Sequence, residues 1–334
     1  MASTLDAAAT MHLAAYLDKE ALKQLPTRNG FGEGLIEAGK RDRNVIGICA
    51  DLSESTRMEG FKKALPDQYI EIGVAEQLLV AMAAGLAAAG KIPFIASYAM
   101  FNPGRSWEQV RTTMALNETN VKIAGAHAGV SVGPDGATHQ AIEDIAIMRV
   151  IPNMTVVVPC DAIQTKKATL AVAQRWGPTY LRFGREKSPI VTTEETPFEI
   201  GKAQTFRDGD DVAIIVCGIL VYNALIAAAQ LAEEDGVQCT ILNNHTVKPM
   251  DDAAVLAAAK RCCTVVTVEE HQRAGGMGSR VAELLAQEHP VPIEFVGVHD
   301  VFGQSGEPNE LIEYYGMGTK SIKEAARRAH QRKR

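Results

Sequence analysis

No apolar run in the 334-residue sequence reaches the roughly 18 residues of a membrane-spanning helix, so a membrane protein is not expected. Basic charge is not in excess. Lys plus Arg number 34 against 40 Asp plus Glu, a formal net charge of −6. Without a basic face, nucleic-acid binding is not expected. The first 25 residues lack a basic segment followed by a compact apolar block. They contain no Arg and carry Asp6, Asp18 and Glu20, so a transit peptide is not expected and a cytoplasmic protein is. Of the six cysteines (Cys49, Cys160, Cys217, Cys239, Cys262 and Cys263), no two have metal-ligand spacing, which predicts buried free thiols. No Gly-x-Gly-x-x-Gly follows the first strand-like run, so a nicotinamide-binding fingerprint is missing.

What is present is an α/β rhythm. Apolar residues make up 46% and charged residues 22%, ordinary values for a globular chain long enough for two domains. Apolar β-branched runs at 45–50, 92–97, 121–126 and 155–158 alternate with helical stretches at 76–89, 107–116 and 162–174. Runs that are apolar throughout predict a mostly parallel sheet covered on both faces by helices. A charged, irregular stretch around Pro189 and Pro197 reads as a linker. Strands are expected again at 211–217, 239–242, 262–268 and 293–298, with helices at 222–234 and 253–260. The division predicted is an N-terminal extension (1–22), a first domain (23–190), a linker (191–203) and a second domain (204–334). The basic tail from Lys320 to Arg334 reads either as a solvated last helix or as a partner-binding segment.

Three segments of the first domain concentrate chemistry. In 69–77, a strand gives way to Gly73 and then to Glu76, in the first turn of a helix apolar on nearly all faces. Glu76 is either an acidic residue favoured by the helix dipole or a buried carboxylate facing a heterocycle nitrogen. In 97–109, Tyr98 and Phe101 follow a strand and form either a wall for a flat ligand or ordinary core packing. In 125–140, His127, Asp135 and His139 lie in a glycine-rich loop suited to proton transfer. Arg28, Arg182 and Arg185 are candidates for a phosphate or carboxylate, or for ion pairs. Glu269-Glu270-His271, before Gly275 to Ser279, reads as a structural turn or an anion site at a helix start.

In this order the segments resemble the C-terminal portion of transketolase, from about Arg28 to the end of the second domain. Gly73-Val-Ala-Glu76 is similar to the family's Gly-x-x-Glu, and Asp135-Gly-Ala-Thr-His-Gln140 to its Asp-Gly-x-Thr-His-Gln loop. Asn244 to Pro249 and Glu269 to His271 resemble its C-terminal domain. The resemblance implies a thiamine diphosphate pyrimidine-binding domain followed by a transketolase C-terminal domain. It implies that Glu76 hydrogen-bonds N1′ of the aminopyrimidine, and that Phe101 and Tyr98 stack on it. Asp51 would face the cofactor, Asp135 would bind a sugar hydroxyl, and His139 would act near the donor carbonyl. Arg28, Ser55, His127 and Arg185 would contact the sugar phosphate.

Two departures stand out. The family places a further aromatic three residues after Phe101, where this chain has Gly104, with Trp107 the candidate substitute. The family's diphosphate-binding domain, with its Gly-Asp-Gly and later Asn, has no counterpart, since Asp208-Gly209-Asp210-Asp211 has the wrong order. The resemblance therefore implies one half of a split enzyme. An N-terminal subunit would supply the missing domain and hold Mg²⁺ or Ca²⁺ in an α2β2 assembly, with no metal ligand from this chain. The alternatives are a subunit similar to deoxyxylulose-phosphate synthase or to the β subunit of 2-oxo-acid dehydrogenases, or a non-catalytic scaffold of the same fold.

Overall fold

The computed structural model describes residues 11–18 and 20–333, so residues 1–10 of the expected N-terminal extension lie outside the described residues. Among the described residues fourteen strands form: β1 Gln24–Pro26, β2 Val45–Cys49, β3 Tyr69–Glu71, β4 Ile92–Tyr98, β5 Lys122–Ala126, β6 Thr155–Val157, β7 Thr179–Arg182, β8 Lys187–Pro189, β9 Gln204–Arg207, β10 Val212–Val216, β11 Cys239–Asn243, β12 Thr246–Lys248, β13 Val265–Gln272 and β14 Ile293–Val298. Seven of them make one sheet in the order β12-β6-β7-β5-β4-β2-β3, with every pair parallel except β12 with β6. Five make a second sheet, β14-β13-β10-β11-β9, in which β9 alone runs antiparallel. Strands such as Val45–Cys49 and Val212–Val216 are buried at every position, as the unbroken apolar runs require of parallel strands covered on both faces.

On one face of the large sheet, helix Thr27–Arg41 packs against helix Ala162–Gln174. The approach is close because Gly34 has no side chain, and a Cβ there would come to 2.8 Å from the Cβ of Thr169. Asp161 starts the second helix by accepting the Gln164 N–H at 2.8 Å, and its other oxygen takes the N–H groups of Val191 and Thr192. The same carboxylate thus fixes both a helix start and the segment leaving the first domain.

The two domains share a core. Val156 and Met148 of the first lie in one apolar cluster with Ile215, Val255 and Met277 of the second. β12, which follows Asn244 and His245, crosses into the first sheet and pairs with its edge strand β6. No strand is expected there from the sequence.

Several expectations are corrected. The strand expected at 262–268 begins at Val265, because helix Asp252–Cys262 runs through Cys262 and stops at Cys263, whose φ is +55°. The helix expected at 107–116 is helical for Trp107–Gln109 and then widens into a π-helix over Val110–Ala115. Helix Glu76–Ala88, apolar on nearly all faces, is buried on only part of its surface. Leu79, Val80 and Ala83 are inside, whereas Leu78 and the neighbouring Val74 are exposed in the single chain.

The basic tail forms helix Thr319–Gln331, with Ile322, Ala325, Ala326 and Ala329 fully buried. Lys323 and Arg327 pair with Glu234, and Arg328 and Arg332 pair with Glu294, so these cations are engaged within the chain. Residues 11–18 also dock. The Thr193 and Thr196 hydroxyls donate to the His12 carbonyl at 2.7 and 2.9 Å, and Tyr16 is buried. All six cysteines are free thiols and five are buried. Among the described residues, no helix is long and apolar enough to cross a membrane.

Candidate active site

Most of the residues singled out in the first domain lie along one edge of the large sheet, beyond the carboxyl ends of its strands. Asp51 follows β2, Glu76 follows β3, Tyr98 ends β4, His127 follows β5 and Arg185 follows β7. This is the edge at which open parallel sheets bind ligands.

Glu76 opens its helix and is 2% exposed. Its Oε1 accepts from the Ser97 hydroxyl at 3.3 Å, and its Oε2 lies 3.3 Å from Nη1 of Arg105. Arg105 also sits over the Phe101 ring, 5.5 Å from its centroid. Sequence reasoning missed Arg105 as a partner, because nothing local connects positions 76 and 105.

Tyr98 and Phe101 lie nearly parallel, with centroids 6.2 Å apart. His139 meets the Phe101 ring edge-on at 5.3 Å, and its Nδ1 is 2.9 Å from the Thr138 hydroxyl. Tyr98 packs on the His127 ring at 4.1 Å and so joins the carboxylate end of the site to its cationic end. Gly104, where the family has an aromatic, carries no side chain for a packing reason: a Cβ would overlap the Met100 carbonyl oxygen. Trp107 does not take over that place. Its indole N–H is tied to the Ile147 carbonyl at 2.8 Å, and it packs on the apolar core.

At the cationic end, Arg28 Nη1 donates to the Ser55 carbonyl at 2.8 Å, and His127 Nε2 lies 3.2 Å from the same oxygen. A carbonyl only accepts, so Nε2 carries the proton in this arrangement. Burial, reinforced by the charges of Arg28, Arg185 and Arg57, pushes the His127 pKa down to about 3. The imidazole is therefore neutral at physiological pH. In that form it is a hydrogen-bonding group. Arg185 donates to the Val132 carbonyl and to Asp135 Oδ1, both at 3.2 Å, which places Asp135 beside the cluster.

Asp51 is exposed, and its backbone N–H donates to Glu71 Oε1 at 2.8 Å. That oxygen also takes the N–H groups of Ile72 and Gly73, so Glu71 organises the turn that leads to Glu76.

Arg182 is not brought to the site. It is buried, with Nε 2.7 Å from Asp144 Oδ2, and Tyr180 donates to the same oxygen at 2.6 Å. The helix start near Gly276 holds an anion of its own. Glu269 accepts the N–H groups of Met277 and Gly278 at 2.7 and 2.8 Å, which settles that segment as structural. Glu270 reaches into the first domain and accepts the Ser131 N–H at 2.6 Å. Gly129, with φ +89°, has no room for a Cβ beside that carboxylate. Gln140 donates to the Val130 and Gln304 carbonyls, each at 3.0 Å. The second domain thus clamps the loop carrying Asp135 and His139.

The pyrimidine end of the implied cofactor fits this donor set: a buried carboxylate beside a half-buried aromatic. The diphosphate end does not. Among the described residues, no cluster of three or more His, Cys, Asp or Glu side chains could hold a metal ion. Asp208 pairs instead with Arg261.

Comparison with known proteins agrees. Residues 23–190 match the family transketolase, pyrimidine binding domain, and residues 201–322 match transketolase, C-terminal domain. A Methanocaldococcus jannaschii protein provisionally named a transketolase C-terminal section is 44% identical, over 88% of this chain and 93% of its own length. One of the subunits of an apulose-4-phosphate transketolase from Phocaeicola vulgatus is 38% identical, covering 90% of this chain and 96% of its own. A solved structure of a split gene transketolase, an inactive β4 tetramer, superposes with a TM-score of 0.87 at 41% identity, covering 93% of this chain and all of its own. By sequence, by fold and by the residues gathered at its sheet edge, this chain belongs to the transketolase family and corresponds to the C-terminal section of a split enzyme.

Proposed function

We propose that the chain is the pyrimidine-binding subunit of a thiamine diphosphate-dependent transketolase. With an N-terminal partner it would move a two-carbon ketol unit from a ketose phosphate to an aldose phosphate. The observation that carries this reading is the Glu76 carboxylate, buried at a helix start and linked through Arg105 to the Phe101 ring.

Glu76 would hold the ring nitrogen N1′ of the aminopyrimidine, Phe101 and Tyr98 would lie against the ring, and Asp51 would face it. When bound, the cofactor supplies the electron sink that lets the carbon–carbon bond beside a ketose carbonyl break and re-form. His139, oriented by Thr138, would exchange a proton at the donor's carbonyl end. Asp135 would accept from a sugar hydroxyl. Arg28, Ser55, His127 and Arg185 would hold the phosphate end.

The partner would carry the diphosphate-binding domain and hold Mg²⁺ or Ca²⁺, in an α2β2 assembly. One observation supports a partner: Val74 and Leu78 leave an apolar face open beside Glu76. The solved β4 tetramer similar to this chain is described as inactive, which fits a subunit that needs a partner.

Calorimetry of thiamine diphosphate with Mg²⁺ tests the reading. Tight binding by the mixture with the partner, and not by this chain alone, is expected. Tight binding by the chain alone would overturn the divided site, and no binding by the mixture would favour a scaffold.

A further inference from the structure

Arg57 lies two residues beyond Ser55, outside the residues the motifs supply. Its backbone is left-handed, with φ +65°, which a residue with a long side chain seldom adopts. The surroundings hold it there. Its Nε donates to Asn29 Oδ1 at 2.9 Å. Gly32 leaves the space, since a Cβ there would come to 2.8 Å from the Arg57 Cβ.

The position is electrostatically unfavourable as it stands. Arg185 has Asp135 and Glu186 within 3.2 and 3.3 Å. Among the described residues, neither Arg28 nor Arg57 has a carboxylate within ion-pair distance. Each donates to neutral oxygens, Arg28 to the Ser55 carbonyl and Arg57 to Asn29. Arg57 is close enough to Arg28 and His127 for its charge to depress the protonation of both, after the larger effect of burial. Arg28 Nε and His127 Nδ1 are both buried without a hydrogen-bond partner. Glu186 acts on Arg28 only from beyond ion-pair distance. Two neighbouring guanidiniums without a direct ion pair are stabilised by an anion, and a second positive charge favours a dianion over a monoanion.

We infer that Arg57 is a third guanidinium of the anion end of this site, set beside Arg28 and Arg185 to take the dianionic phosphate of a sugar phosphate in preference to a monoanionic end group. The inference rests on the sugar-phosphate reading above and adds to it a residue and a charge selectivity.

The test is calorimetry on the complex of this chain with its N-terminal partner. The probes are fructose 6-phosphate and its monoanionic counterpart, 6-deoxy-6-sulfofructose. The variants are Arg57→Asn, Arg57→Lys and Arg28→Ala. Asparagine tolerates the left-handed backbone, so Arg57→Asn keeps the local fold. Loss of one charge-assisted contact predicts phosphate binding weakened about tenfold or more. Binding of the sulfonate changes less, so the preference for phosphate shrinks. Arg57→Lys restores part of it. Phosphate monoesters take up a proton near pH 6, so wild-type affinity falls between about pH 7.5 and 5.5, and less steeply in Arg57→Asn. Unchanged phosphate binding in Arg57→Asn with a loss in Arg28→Ala overturns the inference and leaves the sugar-phosphate reading standing. No binding by the wild type, or no loss in either variant, overturns that reading and the inference with it.

Discussion

Arg105 places a guanidinium nitrogen 3.3 Å from the buried Oε2 of Glu76, while its own side chain remains more than half exposed. The carboxylate proposed to hold the cofactor is thus buried on one side and partnered by a solvated cation on the other. Its two side-chain hydrogen bonds are long, and neither ties it to the apolar core.

Glu76→Ala should therefore leave the fold intact. Removing the buried carboxylate also removes its desolvation cost and leaves its cationic partner solvated, so the melting temperature should move by only a few degrees. Ketol transfer in the presence of the partner should fall at least a hundredfold. Wild-type rates in the variant would sink the proposed role.

Gly104→Ala should perturb the site more than the fold. The added carbon meets the main-chain oxygen of Met100, so the segment between Met100 and Arg105 must shift and carry Phe101 with it. Thiamine diphosphate affinity of the assembled complex should drop about tenfold, with circular dichroism unchanged. Equal affinity would show that the Phe101 wall is not used.

Glu270→Ala should loosen the loop at 129–140. It leaves the buried Ser131 N–H unsatisfied, at a cost of about 1–3 kcal/mol. Hydrogen exchange across that loop should accelerate while exchange in β10 and β11 stays protected. Unchanged exchange would mean that the Gln140–Gln304 contact suffices.

Acid should destabilise the protein through its buried histidines. Burial lowers the His245 pKa from its ordinary 6.5 to about 4, and that of His127 to about 3. Unfolded chains take up these protons near pH 6.5 and the native state does not, so the stabilisation is complete above pH 6.5 and is lost as pH falls toward 4. For His245 the loss approaches roughly 3 kcal/mol. His245→Gln should flatten the fall in urea midpoint between pH 6.5 and 4, and a slope identical to wild type would refute the assignment.

Much of this was legible in the sequence for a physical reason. Parallel strands covered on both faces are apolar at every position, and 92–97 and 121–126 sit almost where Ile92–Tyr98 and Lys122–Ala126 form. The candidate site stood out in the sequence because polar residues beside glycines at strand ends have few structural uses. What escaped depends on distance along the chain. The Glu76–Arg105 pair spans 29 residues, and Arg57 owes its place to Gly32 and Asn29 on another helix. Arg182 and Arg185 look alike in sequence, and only burial against Asp144 separates their roles. β12 is three residues long and has no periodicity to read.

That short strand has a practical consequence. β6 reads Thr-Val-Val and is wholly buried, and β12 from the second domain covers its open side. A fragment cut between the domains would bare a flat apolar rim with unpaired peptide groups, an invitation to edge-to-edge stacking. The join between the halves is a shared apolar core edged by main-chain pairing rather than a hinge, so separately expressed halves should clump where the intact chain stays dispersed.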